Sequence, residues 1–387
     1  MHFIIVHMPY AVLMSCLLLS GVQAGEGSMP RTIRIATYNA SLFAKTAGSV
    51  AARLRSGTDA QAQSISAIVQ TVRPDILLMN EIDHDVDAAT VKWLRDLYFA
   101  VPMGDRPEIE YPYIYSASSN TGVDSGLDLN RNGRRREPND AWGYGTYPGQ
   151  YAFAVMSRFP LDLDAIRTFQ KFDWAQLPGA LRPVTAGTQV PFHTDEVWRA
   201  LRLSSKNHVD IPVLVEGRVL HLLASHPTPP VFDGPEDLNG CRNHDEIRFW
   251  QHYIDDQASL VDDLGRPGGL GQDELFVIMG DLNSDPDVGE SRPEAIRALL
   301  GHHRVFDPRP SRKLGVNDLK GAAHSTASFR SDETLRVDYL LPSASIRVTK
   351  AEVFWPADGE TGSDWIRASD HRMVWIDAIL PAVTSHQ

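Results

Sequence analysis

Hydrophobic and polar residues alternate with a period of two along Ile33-Arg34-Ile35-Ala36-Thr37-Tyr38, the pattern of a strand that buries one face, and the run stops at Asn39. The period then lengthens. Ile65, Ile68, Val69 and Val72 recur at helical spacing, Thr58 and Gln61 stand in capping-box register, and Pro74 marks the stop, so this segment predicts a helix. Ile76-Leu77-Leu78-Met79 is an uninterrupted apolar run of the kind buried on both faces, and it delivers Asn80 and Glu81 at its end. Residues 151–156 predict a further strand, and 213–215 with 219–224 predict a hairpin turning at Glu216-Gly217-Arg218, with His226 just beyond. Ile247, Trp250, Ile254 and Val261 form one stripe, which predicts a helix over 244–264 stopped by Gly265. Leu275-Phe276-Val277-Ile278-Met279 is another buried strand, emptying into Gly280-Asp281-Leu282-Asn283, and strands over 335–341 and 373–379 flank Asp338 and Asp370-His371. Residues 104–148 and 169–210 lack periodicity and predict long loops. No internal repeat or low-complexity tract interrupts the pattern.

Several apolar strands thus end on an acid, an amide or an imidazole. A rigid sheet edge holds such groups to the tolerance that metal and proton chemistry needs. Taken singly, each has an ordinary reading: Asp281 and Asn283 as an Asx turn, Glu81 as a solvated strand end, His226 as a satisfied strand-end histidine, Asp370-His371 as a cap. Their joint occurrence in order changes the reading.

The chain has 387 residues, and its first 24 contain no charged side chain while holding the apolar run 11–19. That run is too short to span a bilayer, and Val22-Gln23-Ala24 suits signal peptidase, so residues 1–24 are expected to be a removed export signal for the periplasm or the medium. No transmembrane segment is expected. Leu13-Met14-Ser15-Cys16 approaches a lipoprotein box, but Met14 is too large for it. Residues 25–387 are expected to form a single domain with long loops, acting as a monomer, and Cys241, alone in it, is expected to be a small buried hydrophobe. A net charge of −12 opposes non-specific attraction to nucleic acid or anionic membrane, so a polyanionic substrate needs a local basic region or bound metal.

The ordered series Thr37-Tyr38-Asn39, Asn80-Glu81, Ser225-His226, Gly280-Asp281-Leu282-Asn283, Arg336-Val337-Asp338-Tyr339 and Ser369-Asp370-His371 resembles the endonuclease/exonuclease/phosphatase superfamily, and Met156-Ser157-Arg158-Phe159-Pro160 is similar to a further segment of it. The resemblance implies an α/β fold, a four-layer αββα sandwich of two mixed sheets flanked by helices. It implies a phosphoesterase using Mg²⁺ or Mn²⁺, with Glu81 the principal metal ligand and Asn39 and Asp370 beside it. Asp281 would orient or deprotonate the attacking water, with Asn283 beside it. His226 and His371 would contact the phosphate, and Asp338 would fix an imidazole tautomer.

Other signals are local. Asp128, Asn130 and Asn132 precede Gly133 as in a calcium loop, with Asp124 as a further ligand, but the twelfth position is Asn139 where an EF-hand needs Glu; a structural Ca²⁺ and a Gly/Asn turn are both open. Arg134 and Arg135, with Arg131 and Arg136, form the densest basic patch, and they and Arg158 are candidate substrate contacts. Trp142, Tyr144 and Tyr147 follow, either to stack bases or to anchor the loop. The polar cluster at 204–208 has no derivable role beyond a place bordering the site. A phosphodiesterase or nuclease-like activity leads; a phosphomonoesterase, a sphingomyelinase-like lipid phosphodiesterase and a non-catalytic binding protein on the same fold are the alternatives.

Overall fold

The computed structural model describes residues 31–314, 322–330 and 333–382; the expected export signal at 1–24, Cys16 included, lies outside the described residues. With strands numbered in chain order, the first sheet consists of β12 (Arg347–Val353), β13 (Val374–Ile379), β1 (Ile33–Leu42), β2 (Ile76–Ile82), β4 (Ala152–Ser157) and β3 (Tyr113–Ser116), in that spatial order. The second runs β11 (Asp338–Pro342), β8 (Leu275–Asp281), β7 (Arg218–Ser225), β6 (His208–Val215) and β5 (Arg167–Thr168), and β9 (Ala327–Arg330) pairs with β10 (Glu333–Leu335) apart from both. Both sheets are mixed: β1 and β2 are parallel, as are β7 and β8, and the other pairs are antiparallel.

Successive side chains of a strand point to opposite faces, and the core shows it. Ile33, Ile35, Ile76 and Leu78 meet Leu220, Leu222, Val277 and Met279 between the sheets. Ala36, Tyr38, Leu77 and Met79 instead face outward, against Ile65, Ile68, Val69 and Val72 of the helix Ala60–Val72. On the other outside, Leu223, Phe276 and Ile278 pack against Ile247, Phe249, Trp250 and Tyr253 of the helix Leu238–Ile254. The apolar runs at 76–79 and 275–279 are unbroken because each strand is covered on both faces, and the result is the expected four-layer αββα sandwich.

Some expected boundaries move. The first long helix is capped by Asp59, whose side chain accepts from Ala62 N; Gln61 instead reaches the carbonyls of Ala40, Ser41 and Ala368. The helix expected over 244–264 runs Leu238–Ile254, and Asp256, at φ 53°, turns the chain away before Val261. The stretch 169–210 contains the short helix Asp195–Ala200 and the start of β6, and 104–148 contains β3. The strand expected over 335–341 is two, broken at Arg336-Val337, where Leu282 N donates to Val337 O. The hairpin forms as its residues predict, with Glu216 and Gly217 both at positive φ, the backbone of a two-residue type I′ turn.

Strand direction decides which residues gather. β1 and β2 bring Asn39 and Glu81 to their C-terminal ends, and β7 and β8 bring His226 and Asp281 to theirs. β11 and β13 run the opposite way and start at that same end, with Asp338 opposite Asp281 and with His371 just before β13. β4 is antiparallel to β2 and finishes at the far end, with Ser157 opposite Ile76.

Candidate active site

Asp281 sits at the centre, 1% exposed. Its Oδ1 accepts from Asn283 N at 2.9 Å, which closes the Asx turn, while Oδ2 accepts from Asn39 Nδ2 of the other sheet at 3.0 Å. The same Oδ2 lies 3.5 Å from His226 Nε2 and 3.7 Å from His371 Nε2. His371 is fixed from behind by Asp338, whose Oδ2 is 2.9 Å from Nδ1. Glu81 Oε1 stands 4.0 Å from His226 Nε2. Asn80 ties the sheets at this point, its Oδ1 accepting from Asp281 N at 3.2 Å. Asp370 is exposed at the rim, where its Oδ1 accepts from Ser41 Oγ at 2.8 Å. Asn283 Nδ2 donates to Pro227 O at 3.1 Å, joining the β8 exit to the loop that follows His226.

The backbone is unusual at the same end. Ser41, Glu81, Tyr151 and Asn283 all have positive φ, between 45° and 55°. Asn tolerates that region, but for Glu and Tyr it costs on the order of 1 kcal/mol or more, an expense typical of functional sites. At Gly280, φ is 142° and an added Cβ would strike Ser225 O, so only glycine lets β8 lie this close to β7 just before Asp281.

Burial and neighbouring charge separate the protonation states. Burial, reinforced by the Asp338 charge, raises the Asp281 carboxyl to about 7 despite the opposing pull of His371 and Asn39. Burial would depress the His371 imidazolium, but the Asp338 and Asp281 carboxylates outweigh it and raise it to about 10. His226 goes the other way: burial, then the positive charges of Lys206 and His371, hold it well below the ordinary value. Near neutral pH one histidine is therefore a cation and the other neutral. Glu81 is raised by burial, with His371, Asn39 and Lys206 opposing.

The sequence marks Lys206 only as one member of the polar cluster at 204–208, and the structure gives it a place: it is 5% exposed and close enough to Glu81 and Asp281 for their charges to act on it. Its segment carries no periodicity, so the sequence offers no role for it within the cluster. Arg158 is a correction in the other direction. It follows β4 at the far end of the sheet, level with Asp75 and so six residues along the strand from Glu81, roughly 20 Å away, where its Nη1 binds Asp75 Oδ1 at 2.9 Å. Arg134 and Arg135 are exposed, and Arg134 faces Glu137 at 3.4 Å. In the loop of Asp128, Asn130 and Asn132, both Asp128 oxygens accept backbone N–H groups, from Asn132 and Gly133, and Asn130 Oδ1 accepts from Asn132 N. Asp124 is engaged separately, by Gly126 N and Arg136. Trp142 and Tyr147 anchor their loop, the first beneath the Arg202 guanidinium and the second on Asp83; Tyr144 is 57% exposed.

Among the described residues, one group brings three His, Cys, Asp or Glu ligand atoms within 4.8 Å of one another: Asp281, Asp338 and His371. Of these, Asp338 and His371 are hydrogen-bonded to each other, while both Asp281 oxygens accept from Asn283 and Asn39. The oxygen donors beside them, Asn39 Oδ1 and the carboxylates of Glu81 and Asp370, are the kind a hard divalent cation takes. Glu81, with its side chain 21% exposed and its carboxyl raised by burial, gains from a cation that holds it ionised, so the donor set fits one.

Comparison with known proteins agrees with this geometry. The model of the "Endonuclease/Exonuclease/phosphatase family" matches residues 36–371. Among solved structures, an endonuclease/exonuclease/phosphatase from Beutenbergia cavernae is similar over 91% of this chain and 72% of its own, at 16% identity and a TM-score of 0.51. Sphingomyelinase C from Streptomyces griseocarneus is similar over 90% of this chain and 99% of its own, at 16% identity and a TM-score of 0.47. The human Nocturnin catalytic domain is similar over 90% and 95%, at 14% identity and a TM-score of 0.45. A search of curated protein sequences gave no match. The family model spans every strand end that contributes to the cluster, from Asn39 to His371, and the chain belongs to the endonuclease/exonuclease/phosphatase family.

Proposed function

We propose that the chain is a divalent-metal-dependent phosphoesterase, acting on a phosphodiester in preference to a monoester, and that water is its nucleophile. The observation that carries this reading is the meeting of Asn39, Glu81, His226, Asp281, Asp338 and His371 at one end of the sandwich, with the two histidines in opposite charge states. Glu81, with Asn39 and Asp370, would hold Mg²⁺ or Mn²⁺, which supplies Lewis-acid polarisation of a phosphoryl oxygen and offsets developing negative charge. Asp281 accepts the proton of the attacking water, since a carboxyl raised to about 7 is a stronger base than an ordinary one. Asn39 orients that carboxylate, and Asn283 stands beside it toward the water or a phosphoryl oxygen. His371, kept cationic by Asp338, donates to a phosphoryl or leaving-group oxygen. His226, neutral and with neither ring nitrogen hydrogen-bonded, faces the same oxygens. The uncharged leader at 1–24 supports a substrate met outside the cytoplasm.

The test is a hydrolysis panel with Mg²⁺ or Mn²⁺: DNA, RNA, sphingomyelin, bis(p-nitrophenyl) phosphate and simple monoesters. On the best substrate, Asp281→Ala and His371→Ala each lower turnover by about two to four decades. Both variants within threefold of wild type would sink the reading. Chelation with EDTA abolishes turnover, added Mg²⁺ or Mn²⁺ restores it, and Glu81→Gln raises the metal concentration needed; full activity in EDTA excludes the metal.

A further inference from the structure

We infer that Lys206 is a ligand of the substrate's phosphoryl group and that Glu246 is the residue that positions it, an inference resting on the phosphoesterase reading above. The ammonium of Lys206 is buried, and the hydrogen bond it makes is a long one, 3.4 Å to Pro227 O. A lysine has three N–H donors, and a buried charge is costly unless it is paired. On the segment that Lys206 reaches through Pro227, His226 leaves both ring nitrogens without a partner, and the Thr228 hydroxyl, also buried, has none. Lys206 and His226 thus carry unfilled hydrogen-bonding capacity beside Asp281, with the Thr228 hydroxyl two residues along the same segment, and what they lack is an acceptor with several oxygens.

The competing reading makes Lys206 the counterion of Glu246, and the geometry opposes it. Both oxygens of Glu246 are already engaged. Oε1 accepts from Ser205 N at 2.7 Å and from Ser205 Oγ at 3.1 Å, while Oε2 accepts from Thr228 N at 2.5 Å. Through these bonds one carboxylate on the helix Leu238–Ile254 joins the residue before Lys206 to the loop two residues beyond His226. The Glu246 carbonyl accepts from His208 Nε2 at 2.8 Å, and Lys206 O accepts from Asn120 N at 2.9 Å, so the segment is held from both sides. Burial lowers the Lys206 ammonium from its ordinary value, and Glu246, which fixes the backbone that carries it, opposes that with a nearby negative charge yet leaves the ammonium itself for another anion. The arrangement puts a cation at a set place beside the metal-ligand end of the cluster, a task that a surface lysine with free rotamers would do poorly.

The experiment uses the full chain with Mg²⁺ and reads three quantities: the Kd of inorganic phosphate by calorimetry, kcat and KM on the best ester of the panel, and the melting temperature. Lys206→Met weakens phosphate binding by about tenfold or more and lowers kcat/KM by about a hundredfold, the scale of one charge-assisted hydrogen bond in a buried site, without lowering the melting temperature. Lys206→Arg keeps part of both, and decides the question should the Met variant not fold. Glu246→Gln raises the phosphate Kd and KM about threefold or more while the Mg²⁺ requirement stays put; a purely structural Glu246 would lower the melting temperature and leave the affinity alone. Phosphate affinity and kcat/KM within threefold of wild type in Lys206→Met overturn the assignment, as does a wild-type chain that binds no phosphate. Should wild type hydrolyse none of the esters, the calorimetry still decides: phosphate binding lost in Lys206→Met supports the anion site while the phosphoesterase reading fails.

Discussion

Asp281 divides its two oxygens between a turn and a reaction centre, and the same economy recurs in Asp338, which holds His371 with one oxygen. Away from the centre, charge pairing serves stability. His221 Nδ1 is 2.7 Å from Asp210 Oδ1, Tyr253 OH donates to the same carboxylate at 2.6 Å, and Glu274 faces Nε2 at 3.8 Å. Burial would lower the His221 imidazolium, but the Asp210 bond and charge prevail and raise it above the ordinary 6.5. A histidine raised in the fold stabilises fully below its unfolded value, and that contribution fades as pH climbs through the folded one. His221→Gln is therefore expected to lose more melting temperature at about pH 5 than at about pH 9; an equal loss at both contradicts the pairing. Residues such as Glu81, Asp281 and His371 were legible in the chain because each lies at the end of, or just before, a strand whose apolar pattern is unambiguous. Lys206 was legible only as one of a polar cluster at 204–208, since an aperiodic segment does not tell which of its side chains turns inward, and Arg158 misled because a motif says nothing of which end of a sheet its strand reaches.

At the scale of elements, hydrophobic period located most strands of the two sheets, including both unbroken apolar runs, but not β3, β5 or β12. Ends were harder. The stripe of Ile247, Trp250 and Ile254 continues to Val261 in sequence, but the left-handed backbone at Asp256 stops the helix first, and a local dihedral leaves no periodic trace. The cap of the helix Ala60–Val72 is Asp59 and not the neighbouring threonine, so Asp59→Ala is expected to cost about 1 kcal/mol in denaturant unfolding and Thr58→Ala much less. β8 carries a stronger constraint. Gly280→Ala forces a methyl into Ser225 O, and the expected outcome is a lower melting temperature together with a loss of turnover larger than the loss of folded protein, because Asp281 is the next residue. Normal turnover in that variant would show that β8 and β7 can part without consequence.

The whole molecule was legible as a class, a sandwich of two mixed sheets under helices, through the family resemblance and the doubly covered strands. How its faces meet was not, because contacts between the sheets join residues more than two hundred positions apart, as Asn39 and Asp281 are. No helix among the described residues is long and apolar enough to cross a membrane. Calcium remains a question for the loop at 124–133: calorimetric binding that disappears in Asp128→Ala would assign an ion there, and heat indistinguishable from buffer would leave a turn held by its own amides.

Asn39, Glu81 and His371 belong to one sheet, and His226, Asp281 and Asp338 to the other. Neither half of the sandwich owns the chemistry. A slip of a fraction of an ångström at the seam, too small to unfold anything, would uncouple Asn39 from Asp281 and silence the enzyme while spectra still looked native. Catalysis in this protein is thus a finer gauge of core alignment than any melting curve, and a substitution deep between the sheets, far from substrate, is where inactive yet well-folded variants should turn up.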